Sequence, residues 1–231
     1  MNIVYAVTAN YQDKILPSLR SVLEHNPEAK IYIVTETDTV PDLPCKATVI
    51  NVSGQQFFPE GGVNFRNMFT YINLLKVCYP SLLRCNRVIH LDADTIICES
   101  LEPLWTLKLT GKWFAAVPEY TGSYKPFGDL YYNMGVAVLN LQQLRKDNAE
   151  PLMVEYLNTV PQPWADQDAW NKYALEQDKA VALPVRYNEC FATGYTDTPA
   201  IVHYCGISDW WTNGSMERRE YLERYRSPFT E

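Results

Sequence analysis

The chain has 231 residues, 47% hydrophobic and 20% charged, with 20 Lys+Arg against 27 Asp+Glu and a formal net charge of −7. That length fits one large domain or two small ones, and burying roughly 70% of the unfolded surface requires no disulfide or metal staple. The acidic balance is spread out, with 8 basic and 10 acidic residues in 1–100 and 12 and 17 in 101–231, which argues against a protein that grips nucleic-acid backbones through a basic face.

Met1 is followed at once by the strand-like run Ile3–Thr8, with no basic leader and no cleavage site. No apolar run approaches the roughly 20 residues of a membrane span. Six cysteines (Cys45, Cys78, Cys85, Cys98, Cys190, Cys205) are scattered without a C-x-x-C. Together these lead to the expectation of a cytoplasmic protein, so the glycosylation-like triplets at Asn51 and Asn213 are taken as chance.

In chain order, Asp13–His25 places Ile15, Leu16, Leu19, Val22 and Leu23 on one helical face, stopped by Asn26-Pro27. Lys30–Thr35 and Thr48–Val52 are β runs. Asn64–Leu83 carries Met68, Ile72, Leu75 and Tyr79 at helical spacing, with Pro80 expected to break or bend it. Arg87–Leu91 is a buried strand. This alternation predicts a parallel, doubly wound sheet, with ligands beyond the carboxyl ends of its strands. Trp113–Val117 and Met134–Leu139 are further strands, separated by a loop carrying Tyr120, Tyr124, Phe127, Tyr131 and Tyr132. Leu141–Leu157 and Asp166–Leu175 are predicted helices, Val181–Pro184 and Ala200–Tyr204 strands, and Met216–Tyr225 a mixed-charge helix. With no repeat, linker or low-complexity tract, residues 1–231 are expected to form a single domain.

Strand 87–91 runs directly into Asp92-Ala93-Asp94. In extended chain, residues i and i+2 share a face, so both carboxylates aim at one point, where they repel unless a cation lies between them. Hard oxygen ligands suit Mg²⁺ or Mn²⁺; a turn with an Asp cap is the plainer alternative. His203, at the end of another apolar strand, is a candidate third ligand that shifts the choice toward Mn²⁺, or else a satisfied structural histidine. Asp166-Gln167-Asp168 opens a helix, where Asp166 could also serve as an ordinary N-cap. Tyr132-Asn133-Met134-Gly135 precedes a strand and could equally be turn chemistry. The five-ring loop 120–132 is either an acceptor wall for sugar faces or a satellite hydrophobic cluster.

Taken together, these segments resemble the family 8 glycosyltransferases, the glycogenin and bacterial lipopolysaccharide galactosyl- and glucosyltransferase type, from Met1 to about Trp211. The resemblance implies an α/β fold of the GT-A, Rossmann-like type, its mostly parallel central sheet flanked by helices. A nucleotide-binding half would span 1–100 and a sugar and acceptor half 101–231. It implies a metal-dependent retaining hexosyltransferase that uses a UDP-sugar with Mn²⁺ or Mg²⁺. By this likeness Ala6, Val7, Thr8, Asn10 and Tyr11 line a uridine pocket, with Thr8 where many members carry Asp. Lys76 lies near the diphosphate. Asp92 and Asp94 are the metal pair flanking Ala93, and His203 joins them. Glu119 stands where the sugar-contacting segment usually ends in Asp. Asn133, Met134 and Gly135 match the N-x-G that meets the donor sugar. Asp166, Gln167 and Asp168 match the D-Q-D near the reacting carbon. Leu183–Asn188 resembles L-P-x-x-Y-N, and His203 to Gly206 opens the H-x-x-G-x-x-K-P-W motif.

That last motif departs from the family: Asp209 stands where a Lys would meet the diphosphate. The repulsion is worth about 1–4 kcal/mol at a few ångströms. Arg218 or Arg219 is expected to compensate, with Asp209 turned away. A glycan, lipid-linked sugar or protein is the expected acceptor, with no nucleic acid and no stable membrane insertion, since Met216–Glu231 holds four Arg against four Glu. A silent nucleotide-sugar-binding protein is the alternative, and a phosphoryl or nucleotidyl transferase is disfavoured because Ala6–Tyr11 has no glycine. The identity of the sugar, the acceptor and the oligomeric state are not readable from sequence.

Overall fold

The computed structural model describes residues 1–40, 42–66, 69–120, 126–207, 209–210 and 218–225. Met68, Tyr124, Trp211 and the Asn213 triplet lie outside them, as does the first part of the expected 216–225 helix.

Nine strands are present among the described residues: β1 (Asn2–Ala6), β2 (Lys30–Thr35), β3 (Ala47–Asn51), β4 (Val88–Leu91), β5 (Thr95–Ile97), β6 (Phe114–Pro118), β7 (Tyr132–Leu139), β8 (Ala180–Ala182) and β9 (Ile201–His203). Seven form the central sheet in the order β3-β2-β1-β4-β7-β6-β8, parallel throughout except for β7, which runs antiparallel to both β4 and β6. Strands from both halves of the chain therefore share one sheet. Both faces are covered, so β1 reads as a continuous apolar run: Val4 enters one core while Ile3 and Tyr5 enter the other. β5 and β9 pair antiparallel as a separate ribbon, with Thr95 opposite His203.

Two features bring polar groups to the carboxyl end of β4. First, β4 and β7 run in opposite directions, with Leu91 opposite Val136, so the chain leaving β4 meets the chain entering β7. Asp92 N–H donates to the Gly135 carbonyl at 2.7 Å. Second, the β6–β7 register shifts between Ala116 and Val117: their partners are Ala137 and Asn133, so Met134–Val136 are extra residues on β7. Irregularities of this kind re-aim side chains beside active sites.

Some helices differ from their sequence patterns. In the segment expected as one helix over 64–83, the described residues as far as Thr70 form turns, a bend and a bridge, and the short helices Tyr71–Leu74, Leu75–Cys78 (3-10) and Tyr79–Leu82 follow. Pro80 lies in the first turn of the last, where its missing N–H costs nothing, and so does not break it. The expected helix 141–157 is two, Leu141–Lys146 and Ala149–Thr159, divided at Asn148 in the left-handed region (φ 52). Helix Leu16–His25 follows a 3-10 stretch over Ala9–Ile15. Among the described residues, no helix is long and apolar enough to cross a membrane.

Candidate functional site

The site is built on the chain between β4 and β5. Asp94 Oδ1 lies 3.3 Å from His203 Nε2, and Asp92 Oδ2 lies 4.0 Å from the same nitrogen. The β5–β9 ribbon sets this distance: Thr95 pairs with His203, and Tyr204 N–H donates to the Asp94 carbonyl at 2.8 Å. The candidate ligand atoms of Asp92, Asp94 and His203 all fall within 4.8 Å of one another. Gly135 closes the floor. A methyl group there would overlap His203 Cε1 and lie 2.9 Å from Asp92 Oδ2, so only glycine lets the carboxylate and imidazole approach.

Asp92 has two cationic or donor partners. Lys76, 6% exposed, reaches Oδ1 at 2.7 Å. His90 Nε2–H donates to the same oxygen at 2.9 Å, while its Nδ1 accepts from the Tyr79 hydroxyl at 3.1 Å. Burial, then the Lys76 charge, lowers the His90 pKa, which fits a neutral ring donating to an ionised carboxylate. Burial pushes Asp92 up, but Lys76 and after it His90 hold it well below the ordinary carboxylate range. Burial works against the charge on Lys76, yet Asp166 and then Asp92 raise its pKa.

His203 is oriented from behind. Burial works against a charged ring, but Asp94 and, after it, Cys190 raise its pKa well above the ordinary value. Its Nδ1 lies 2.8 Å from Asn188 Oδ1, and the fully buried Asn188 donates from Nδ2 to Asn133 Oδ1 at 2.8 Å. Asn133 continues the chain, donating from Nδ2 to Glu119 Oε1 at 2.9 Å and accepting from Gly135 N–H at 3.1 Å. Gln167 Nε2 donates to the same Glu119 oxygen at 3.1 Å, and Gln167 Oε1 accepts from Met134 N–H at 2.9 Å. An unbroken line of amides thus links Glu119 to the histidine. Burial raises the Glu119 pKa, and its two amide donors oppose that rise.

The D-Q-D residues separate into three environments. Ala165, not Asp166, is the N-cap of helix Asp166–Glu176, so Asp166 is not capping. Asp166 is 4% exposed, and its Oδ2 has no hydrogen-bond partner, the one such buried side-chain atom among the described residues. Burial raises its pKa to about 7, with Lys76 opposing. Asp168 is fully buried, with one oxygen accepting from the Tyr131 hydroxyl at 2.7 Å and the other from Trp164 N–H at 2.9 Å. Gln167 lies between them, joining helix to strand.

The remaining expected residues spread outward. Ala6 ends β1, and Val7 N–H donates to the Val34 carbonyl at 3.0 Å. The Thr8 hydroxyl donates to Asn10 Oδ1 at 2.7 Å. Tyr11 accepts from Trp210 Nε1–H at 3.2 Å; burial, and more weakly the carboxylates of Asp94, Asp92 and Asp209, raise its phenol pKa. That coupling ties the N-terminal loop to the carboxylate corner. Ala93 and Met134 send their side chains into the two cores. Gly206 (φ 72) is exposed beside Phe191.

Arg218 and Arg219 do not supply the charge that Asp209 removes. Arg218 Nε pairs with the buried Glu189 at 2.7 Å and its guanidinium also donates to the Thr196 carbonyl, while Arg219 pairs with Glu223. Asp209 is exposed, in the left-handed region at φ 53. The five-ring wall is not formed as a unit either. Tyr131 and Tyr132 are buried, the latter edge-on to Phe114 at 5.5 Å, and Phe127 lies under Lys172. Among the rings of that loop whose placement is described, Tyr120 is the exposed one, and the other exposed rings are Trp164, Phe191 and Tyr195. Two supporting residues received no role from sequence, His90 and Asn188. His90 was signalled by its place two residues before Asp92 on the same strand face.

The donor set fits a hard divalent ion: two carboxylates and an imidazole, with a glycine clearing the space between them. Comparison with known proteins agrees with this geometry. The family model for glycosyl transferase family 8 matches residues 2–214. General stress protein A of Bacillus subtilis is 24% identical, covering 97% of this chain and 91% of that protein. Glycosyltransferase GlyD of Streptococcus pneumoniae is 25% identical over 94% of this chain, which spans 29% of GlyD. A solved structure of the galactosyltransferase LgtC with donor and acceptor sugar analogues superposes with TM-score 0.70 at 19% identity, covering 98% of this chain and 97% of that one. The fold is that of the GT-A glycosyltransferases.

Proposed function

The chain belongs to glycosyl transferase family 8, and from that premise we propose that it moves a hexose from a UDP-sugar to an acceptor hydroxyl with retention of anomeric configuration, using Mn²⁺ or Mg²⁺. The observation that carries this proposal is the convergence of Asp92, Asp94 and His203 beside the amide line Glu119–Asn133–Asn188. Asp92, Asp94 and His203 would hold the metal, which when bound supplies positive charge to offset that developing on the departing diphosphate. Lys76 and His90 keep Asp92 ionised and fixed. Asn188 fixes the His203 ring by accepting from Nδ1, so that Nε2 faces the carboxylates.

The donor sugar is assigned to the neutral side. Asp166 Oδ2, buried and unpartnered, is an acceptor for a sugar hydroxyl. Asn133 and Gln167, both tied to Glu119, shape the wall beside it. Asp168 is consumed by Tyr131 and Trp164, so it braces the wall and is poorly placed to attack carbon. With Asp168 engaged at both oxygens and Asp166 assigned to a sugar hydroxyl, front-face attack by the acceptor within an ion pair fits better than a covalent glycosyl intermediate. Positioning and electrostatics then supply the acceleration. Among the described residues, Tyr120, Trp164, Phe191 and Tyr195 are the exposed rings suited to stack on the acceptor, a glycan, lipid-linked sugar or protein.

Residues 1–231 are read as one domain because strands from both halves share the central sheet. The cytoplasm is the proposed compartment, on the strength of six free thiols. One observation favours a second function, a nucleotide-sugar-binding protein without turnover: Asp209 replaces the family's cation while Arg218 and Arg219 are already paired. A panel of UDP-sugars with Mn²⁺ separates the two. Slow UDP release without acceptor is expected from the transferase; tight UDP binding with no release from any donor would support the binding protein and overturn the transferase.

A further inference from the structure

Behind the carboxylate pair lies a second cluster of a different chemical kind. The candidate ligand atoms of Cys190, His203 and Cys205 also lie within 4.8 Å of one another. Cys190 is buried and Cys205 half-buried. Both thiols and the imidazole line a cavity of about 40 Å³, room for an ion-bound water, which needs at least roughly 10–15 Å³.

The cluster is rigidly built. His203 N–H donates to the Glu189 carbonyl at 2.9 Å, fixing β9 against the segment that carries Cys190. Gly194 N–H donates to the Cys190 carbonyl at 2.8 Å, and the Thr193 hydroxyl lies 3.4 Å from Cys190 Sγ. Cys205 follows β9 by two residues.

We propose that Cys190, His203 and Cys205 form a second metal site, for a soft divalent ion such as Zn²⁺, which shares its histidine with the Asp92–Asp94 pair. Two sulfurs and one imidazole are the ligands zinc prefers, with a cavity water in the open position. Metal–sulfur bonds of about 2.3 Å place two ligating sulfurs roughly 3.8 Å apart, a shift of about 1 Å at most from the 4.8 Å that bounds these ligand atoms. On binding, the protons held by the two thiols and by His203 Nε2 pass to solvent, and two sulfur–metal bonds and one nitrogen–metal bond take their place.

Hard and soft sets then compete. Carboxylates favour Mn²⁺ and Mg²⁺, whereas thiolates favour Zn²⁺, Co²⁺ and Cd²⁺. Asn188 occupies Nδ1 of His203, leaving the ring one nitrogen to give. A soft ion on the thiols therefore takes the imidazole away from the carboxylates. The binding itself is independent of the glycosyl-transfer proposal; its effect on turnover rests on that proposal.

The test is an anaerobic Co²⁺ titration of the reduced full-length protein, followed by absorption. A thiolate-to-cobalt charge-transfer band saturating at one ion per chain is expected. It should persist in Asp94→Asn and Cys98→Ser, vanish in Cys190→Ser and Cys205→Ser, and be displaced by Zn²⁺. Absence of the band in the unaltered protein, or its survival in Cys205→Ser, overturns the site. Zn²⁺ should also raise by at least tenfold the Mn²⁺ needed for half-maximal UDP release, but not in Cys205→Ser. Equal Zn²⁺ sensitivity in the two proteins overturns the sharing of His203, and a protein that releases no UDP at all is still judged by the cobalt band.

Discussion

On the β4 side of the site, Asp92 and Asp94 carry charge and are held by Lys76, His90 and His203. On the β7 side are neutral amides: Asn133 and Gln167 each donate to Glu119, and Asn188 donates to Asn133. The charged side has ionic partners for an ion and a diphosphate, whose interactions are strong, long-ranged and tolerant of direction. The neutral side has directional donors and acceptors, which suit hydroxyls whose positions must be told apart. On the proposed function, binding strength and selectivity fall to opposite sides of the site, which meet where the antiparallel strands β4 and β7 come together.

The largest expected effect separates the two aspartates. Asp94→Asn should reduce metal-dependent UDP release by about 10²–10³-fold, the loss typical of a removed charge-stabilising group, with little change in thermal unfolding. Asp92→Asn should lose as much activity and also stability, about 1–3 kcal/mol, because it leaves the buried Lys76 ammonium without its nearest carboxylate. Equal melting temperatures for the two variants would break the assignment of Lys76 to Asp92.

Gly135→Ala tests the seam itself. The added methyl must displace His203 or Asp92, so Mn²⁺ affinity by calorimetry and turnover should both fall, turnover by about 10²-fold, as for misplacements near 1 Å. Asn133→Ala probes the neutral side: turnover is expected to fall by about 10–100-fold while UDP affinity stays within about threefold. A matching loss of UDP affinity would move Asn133 from the sugar to the nucleotide.

The last test reads stability against pH and leaves turnover aside. Burial raises the Asp166 pKa from 3.8 to about 7 in the folded chain. A raised carboxylate favours the folded state fully below its unfolded value and loses that contribution as pH rises toward its folded value. Asp166→Asn, neutral at every pH, should therefore match the parent near about pH 4 and exceed it by up to about 4 kcal/mol near about pH 8 in denaturant unfolding. A constant difference across that range would show that Asp166 does not titrate there.

The parallel half of the sheet was legible because strands buried on both faces must be apolar throughout, as in Ile3–Ala6 and Ile31–Val34. The carboxylate pair was legible as two aspartates at the end of an apolar strand, although Ala93 and Asp94 lie in a turn and not in extended chain, so it is the β5–β9 pairing that brings Asp94 to His203. The segment 64–83 misled because its helical spacing of apolar residues serves a string of short turns packed into one core. The loop aromatics misled because composition does not distinguish a ring that faces solvent, Tyr120, from one that braces a buried carboxylate, Tyr131.

By itself, then, the sequence determined most of the strands, the acidic pair that ends β4 and the family, since these depend on local periodicity and on short motifs. Tertiary structure alone decided that Asn188 holds His203, that Lys76 is spent on Asp92, that Arg218 is committed to Glu189, and that two thiols stand beside the histidine. Each of these is a contact between segments distant in the chain, and its existence depends on strand order and register, which no local pattern encodes.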